Sequence, residues 1–348
     1  MISIIIPVYN TGNKLNKCLR SLERQTYKDW ECFLVNDCST DKSTIKILNE
    51  TTHKDQRFVL INNTKNLGIE KNRFVAVDRI IAEGKSQYIM FMDHDDWLYS
   101  NDALSYLYEN AVSSGADVTI GRNKEAYGPF LKDGYYYPES SGLISQPILK
   151  EKYYISYFGV NLIPVYIWAR LYKLDLVKKA NMRAHGLTSA DDVAWNLFIM
   201  PFANSVMLLN RVVYVHRWGG LSTKISNKGL EEYKKFYKLR RKAIIDFDYS
   251  KARFWLDCEL KNVLAANIYN LILYLKQDKE EIISYLRKEL EDDIWTEVDE
   301  SIINSKNEFS QALLSRDFEK MYEIQYRQAY TIKNRFYYFV KQLLRPFI

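Results

Sequence analysis

The sequence predicts an α/β fold: a Rossmann-like, mostly parallel sheet flanked by helices, with a helical region at its C-terminal end. Three observations lead there. Across the first 120 residues, short apolar runs of strand length alternate with segments whose apolar residues recur at helical spacing. Polar and acidic residues follow three of those runs, on the rim where open α/β sheets bind ligands. Beyond about residue 226 the chain holds one glycine, Gly229, and no proline before Pro346, and its charged, amphipathic segments read as helices.

Taken in order, Ile2–Ile6 is the first strand, running into Pro7-Val8-Tyr9-Asn10. Leu15, Cys18, Leu19 and Leu22 then form one apolar stripe of a helix. Cys32–Val35 is the second strand and leads into Asn36-Asp37. Asp41 is placed to cap a helix carrying Thr44, Ile45, Ile47 and Leu48. Phe58–Ile61 and Tyr88–Met92 are the third and fourth strands, the latter ending in Asp93-His94-Asp95-Asp96. Ala103, Leu104, Leu107, Tyr108 and Ala111 make another helical stripe, and Val118–Ile120 a fifth strand. Strand and helix alternating in this way imply parallel strands covered on both faces. From about 122 to 225 the pattern loosens into aromatic-rich loops, with a helix beginning near Asp191-Asp192. The expected domains are therefore residues 1–225 and 226–348.

Composition sets the outer limits. With 348 residues, 47% hydrophobic and 26% charged, the chain has the make-up of a globular protein and not of a disordered one. A net charge of +6 is modest, and without a recognised motif it gives no reason to expect a nucleic-acid partner. Cys18, Cys32, Cys38 and Cys258 lack metal-ligand spacing and fit a reducing compartment. The first strand starts without a basic leader, and no apolar run is long enough to cross a bilayer. The expected location is cytoplasmic.

Four motifs carry the chemistry. Pro7-Val8-Tyr9-Asn10, Val35-Asn36-Asp37-Cys38-Ser39-Thr40-Asp41, Asn66-Leu67-Gly68 with Arg73, and Met92-Asp93-His94-Asp95-Asp96 together resemble the successive motifs of glycosyltransferase family 2, over roughly residues 1 to 220. The resemblance implies a GT-A-type fold and an inverting transfer of a sugar from a nucleotide diphosphate, with UDP the expected nucleotide. The implied acceptor is a hydroxyl of a glycan, a lipid-linked sugar or a cell-envelope polysaccharide. The diphosphate leaves as an anion, and a divalent cation held by one or two carboxylates suits that charge; Mn²⁺ or Mg²⁺ is the expected cofactor.

By the same resemblance, Asp93 would contact the ribose and Asp95 the metal, with His94 between them as a spacer in the donor motif. Asp96 could instead serve a helix N-terminus. Asp37 would accept the uracil N3–H. Arg73 would meet the diphosphate or the base, although Asn72-Arg73-Phe74 replaces the family's Ala-Arg-Asn. Pro7, Val8, Tyr9, Asn10 and Asn66 complete the expected donor site. The family's Glu-Asp pair becomes Asp191-Asp192 here, in which Asp192 takes the position of the general base. His216 is a candidate metal or diphosphate ligand, Ser222-Thr223 a candidate closing loop, and Trp168 and Trp218 are candidate stacking platforms for an acceptor sugar or, equally, core residues.

The C-terminal tail interleaves Lys333, Arg335, Lys341 and Arg345 with Phe336, Tyr337, Tyr338, Phe339 and Phe347. It reads equally as an interfacial membrane helix or as a docked helix in an oligomer contact. Competing classes fit less well. A nucleotidyltransferase would want a better phosphate loop than Pro7 to Asn13, and a dehydrogenase would want Gly-x-Gly-x-x-Gly after the first strand. A non-catalytic module would have lost Asp93, Asp95 or Asp192.

Overall fold

The computed structural model describes residues 1–134, 141–159, 162–219, 229–296, 298 and 307–331. It contains a ten-stranded sheet. Strands β1 (Ile2–Val8), β2 (Trp30–Asn36), β3 (Phe58–Asn62) and β4 (Tyr88–Phe91) lie parallel, in the order β3-β2-β1-β4. Their alternation with α1 (Leu15–Glu23), α2 (Lys42–Lys54) and α3 (Ile69–Glu83) matches the sequence pattern. The second half is mixed. After β5 (Trp97–Leu98) and α4 (Ala103–Ser114), β6 (Val118–Tyr127) and β10 (Ser205–Arg217) pair in parallel. Strand β9 (Arg170–Lys173) slots antiparallel between β4 and β6. Short β7 (Phe130–Asp133) and β8 (Gly142–Ser145) add antiparallel edges to β6 and β10.

The reason is visible in the burial. All of β1 is buried, as a central strand covered on both faces must be. On α1 the predicted stripe Leu15, Cys18, Leu19 and Leu22 is the buried face; each leucine contributes about 1.5–3 kcal/mol by leaving water. Helix α3 packs on β1 and β2, and α4 on β6 and β10. Asp41 caps α2 as expected, its carboxylate accepting from the amides of Ser43 and Thr44.

The chain divides into two compact units, one comprising Met1–Tyr157 and Asn161–Gly219, the other Phe158–Val160 and Gly220–Ile348. The first carries the sheet together with α5 (Leu174–Ala180) and α6 (Asp191–Ile199). The second is helical: α7 (Gly229–Asp246), α8 (Arg253–Leu273), α9 (Lys279–Glu289), α10 (Glu308–Leu314) and α11 (Phe318–Ala329). Its core gathers Leu264, Ile268, Ile272, Leu286, Phe309 and Met321. Inside it Lys234 is buried among Glu231, Glu289 and Asp292, which keep it charged. Among the described residues no helix is long and apolar enough to cross a membrane. The tail of residues 332–348 and Ser222-Thr223 lie outside the described residues.

Candidate active site

The carboxyl ends of β2, β1 and β4 are neighbours, so Asp37, Asn10 and Asp93 emerge on one rim. Hydrogen bonds lace these ends together. The Asn10 side-chain carbonyl accepts from the amides of Thr40 (2.9 Å) and Asp41 (3.1 Å), and the Asn10 amide donates to Ser39 Oγ. The Asp37 amide donates to the Val8 carbonyl at 2.8 Å. His94 Nδ1 lies 2.9 Å from the Pro7 carbonyl, tying the tip of β4 to β1. Pro7 and Val8 are buried strand residues, so they shape the rim and do not offer side chains to a donor. Tyr9 is 47% exposed and remains open to one.

Asp37 is buried, and its carboxylate already accepts three bonds: Asn63 Nδ2 (2.9 Å) and the Leu67 amide (2.8 Å) on Oδ1, and the Gly68 amide (2.9 Å) on Oδ2. Only Oδ2 keeps a lone pair for a nucleobase. Gly68 sits at φ 82°, the left-handed region that favours glycine, and begins α3 from there. The exposed Asn66 side chain also accepts the Gly68 amide, at 3.1 Å.

Arg73, on α3, is 5% exposed. One end of its guanidinium pairs with Asp93 at 2.6 Å and the other pairs with Asp191. Arg73 was expected to meet the diphosphate or the base; in this structure both ends of its guanidinium are engaged by carboxylates, which ties Asp93 at the tip of β4 to Asp191 at the start of α6. Without it, Asp93, Asp191 and Asp192 would crowd like charges together.

Asp191 and Asp192 open α6, immediately after Ala190 at φ 58°, a left-handed conformation that costs a non-glycine residue. Asp192 Oδ1 accepts the Val193 amide at 2.8 Å. Burial, with the charge of Asp191 adding to it, pushes the Asp192 carboxyl up to about 7. The helix behind it is fastened by Asn196, fully buried, which accepts from Tyr172 Oη (2.7 Å) and donates to the carbonyls of Val165 and Asp192.

Asp96 does not begin a helix, because β5 follows it. It is fully buried, accepting Tyr214 Oη at 2.8 Å and the Arg217 amide at 2.7 Å, while Tyr214 Oη takes the Asp93 amide at 3.0 Å. Desolvation, with the charge of Asp93 adding to it, pushes its carboxyl well above the ordinary range. Asp95 is half-buried, and its carboxylate has no partner among the described residues. Among those residues no group of three or more His, Cys, Asp and Glu could hold a metal. Asp95 still fits a divalent ion that takes one carboxylate and completes its shell from phosphates and water. His216 fits less well. Burial disfavours its charge, but the 2.6 Å bond from Nδ1 to Glu125 and the field of Asp96 outweigh that and raise it to about 9. An imidazolium has no lone pair for a metal and suits an anion.

The acceptor expectations separate. Trp168 is 7% exposed and stacks on Tyr166 (3.5 Å), Tyr214 (4.9 Å) and His216 (5.2 Å). Its ring is covered by protein side chains, as the core alternative requires. Trp218 is only half-buried, tilted against Tyr127 at 5.3 Å, and remains available.

Comparison with known proteins bears on the family and the fold. The family model described as glycosyl transferase family 2 matches residues 3–177. Glycosyltransferase GlyA of Streptococcus pneumoniae is 30% identical over 62% of this chain and 30% of its own length. The poly(ribitol-phosphate) beta-glucosyltransferase of Bacillus spizizenii is 36% identical over 36% of this chain and 20% of its own. The crystal structure of S. aureus TarS 1-349 in complex with UDP-GlcNAc superposes with a TM-score of 0.70 at 20% identity, covering 94% of this chain and 92% of that one. The chain spans 30% of the length of GlyA and 61% of that of the Bacillus subtilis glycosyltransferase EpsJ. With the motifs on one rim and the family model matching half of its length, the chain belongs to glycosyl transferase family 2.

Proposed function

We propose that this protein is an inverting glycosyltransferase that moves a sugar from a UDP donor to a hydroxyl of a glycan, lipid-linked or cell-envelope polysaccharide acceptor. One observation carries the reading: Arg73 joins Asp93, in the donor motif, to Asp191, next to a carboxyl at Asp192 raised to about 7. A base tuned near neutrality beside a nucleotide-sugar motif is what proton removal from an attacking hydroxyl requires. The UDP-GlcNAc-bound TarS neighbour and the glucosyltransferase relative support a UDP-hexose or UDP-N-acetylhexosamine donor.

In this reading Tyr9 and Asp37 receive the nucleotide, the latter through the remaining lone pair on Oδ2. Asp93 meets the ribose while Arg73 holds its carboxylate in place. Asp95 would hold Mn²⁺ or Mg²⁺, which when bound offsets the charge of the leaving diphosphate. The His216 imidazolium adds positive charge toward the same anion. Asp192 takes the acceptor proton as the new glycosidic bond forms, and Arg73 opposes the burial that raises the carboxyl of the neighbouring Asp191. Trp218 is the candidate contact for the acceptor. The tail of residues 332–348 would bring the enzyme to an anionic membrane surface, where a lipid-linked acceptor resides, or to a second subunit.

A screen of UDP- and GDP-sugars, reading nucleotide release with Mn²⁺, with Mg²⁺ and with EDTA, tests donor, metal and activity together. Turnover of a UDP-sugar that EDTA abolishes is the expected result. No turnover and no UDP binding would overturn the proposal.

A further inference from the structure

A side chain that sequence patterning leaves on the list of ordinary helix acids has a specific task. Glu70 occupies the first turn of α3, where an acid is favoured by the helix dipole alone. Its carboxylate does not face solvent, being 4% exposed. It accepts three consecutive backbone amides from a distant loop: His185 at 2.8 Å, Gly186 at 2.7 Å and Leu187 at 2.9 Å. His185 Nδ1 adds a contact at 3.4 Å. Successive amides can converge on one anion only if the backbone curls around it, and Gly186 supplies the curl at φ 78°. Burial alone would raise the Glu70 carboxyl, but the His185 side chain and the three amides hold it below the ordinary value.

That loop leads directly into Asp191-Asp192. Its far side is packed too, since the His185 ring stacks on Phe198 of α6 at 4.6 Å. Arg73, three residues along α3 from Glu70 and on the same face, grips Asp191. One helix thus holds the segment at both of its ends, and the strained Ala190 turn lies between the two grips.

We propose that Glu70 is a positioning residue, fixing the His185–Leu187 loop so that Asp192 stands where an acceptor hydroxyl is deprotonated. The proposal rests on Asp192 being the base. It assigns Glu70 no contact with the substrate. Shifting a catalytic group by about 1 Å costs on the order of 10²-fold in rate, so release of the loop should act on kcat and not on donor affinity.

The test compares Glu70→Ala, Glu70→Gln and Asp192→Asn with the wild type. Amide exchange over residues 183–190, UDP affinity by calorimetry, and kcat and KM with UDP-GlcNAc across pH are measured on each. Glu70→Ala should exchange its loop amides at least about tenfold faster and lose about 10²-fold in kcat, with UDP affinity and KM within about twofold. Glu70→Gln keeps one acceptor oxygen for the amides and should fall between the two, which guards against a variant that fails to fold. Unchanged loop exchange, or kcat per folded molecule equal to wild type in both Glu70 variants, would overturn the proposal. Wild-type turnover by Asp192→Asn would instead remove the base assignment, and the exchange data would still report whether Glu70 holds the loop.

Discussion

Replacing Asp192 by Asn should stop transfer and stabilise the protein at the same time. The carboxyl is raised from its ordinary value of 3.8 to about 7. Between those values the folded protein binds a proton that the unfolded chain has released, so the native state loses stability as pH rises through this window. At 1.36 kcal/mol per pH unit the upper bound on that cost is about 4 kcal/mol at pH 8, and the partly open face of the side chain reduces it to about 2 kcal/mol. Asparagine carries no charge and escapes the cost. For a unit of this size 1 kcal/mol moves Tm by about 2–4 °C, so the variant should melt about 4–8 °C higher at pH 8. The gain should shrink by more than half at pH 5, where wild-type Asp192 is protonated in the folded state. Transfer should fall by about 10²–10⁴-fold, the usual loss of a general base. In the wild type, kcat should rise about tenfold from pH 6 to pH 8 as the base loses its proton. Calorimetric melts and nucleotide release at both pH values decide the matter. A stability gain independent of pH, or undiminished turnover, would refute the reasoning.

Other outcomes follow from the same geometry. Asp95→Ala should abolish metal-dependent donor turnover with little effect on melting, because the carboxylate has no protein partner among the described residues; retained EDTA-sensitive activity would show that the ion is held elsewhere. Arg73→Ala leaves Asp93 and Asp191 unpaired and should destabilise the fold by about 3–5 kcal/mol in urea titrations, as breaking a buried pair does. Trp168→Ala should cost about 3–5 kcal/mol of stability through its lost stack; a variant of wild-type stability with a raised acceptor KM would return Trp168 to the acceptor site.

Much of the first half was readable from local pattern. The α1 stripe, the Asp41 cap and the acids at the ends of β2 and β4 are signals spanning a few residues, and each lies where periodicity places it. The insertion of β9 antiparallel between β4 and β6 was not readable, because four residues carry too little pattern to state a direction. The site shows the same divide. Its acids could be named from motifs, but their partners could not. Arg73 reaches Asp191 across 118 positions and Glu70 reaches Gly186 across 116, and a buried carboxylate looks like a surface one until the fold closes over it. For Glu70 the one hint was a glycine at the centre of its target loop. Trp168 could be read either way, because a tryptophan near a sugar site and a tryptophan in a core are the same letter.

Helix α3 has a consequence for how this protein can diverge. Its opening glycine donates to Asp37, Asn72 bonds both Asn63 and the Val35 carbonyl, and Glu70 and Arg73 are committed to the segment from His185 to Asp191. Lys71 and Asp78 face outward and can vary, and the outward Arg79 is tied, among the described residues, only to Glu83 of its own helix and to the Phe33 ring. The inward positions cannot change singly, since each alteration displaces a partner on a different strand or loop. Change near this rim is therefore easier at places such as β7, whose four residues all lie in solvent, than along the inner face of this helix.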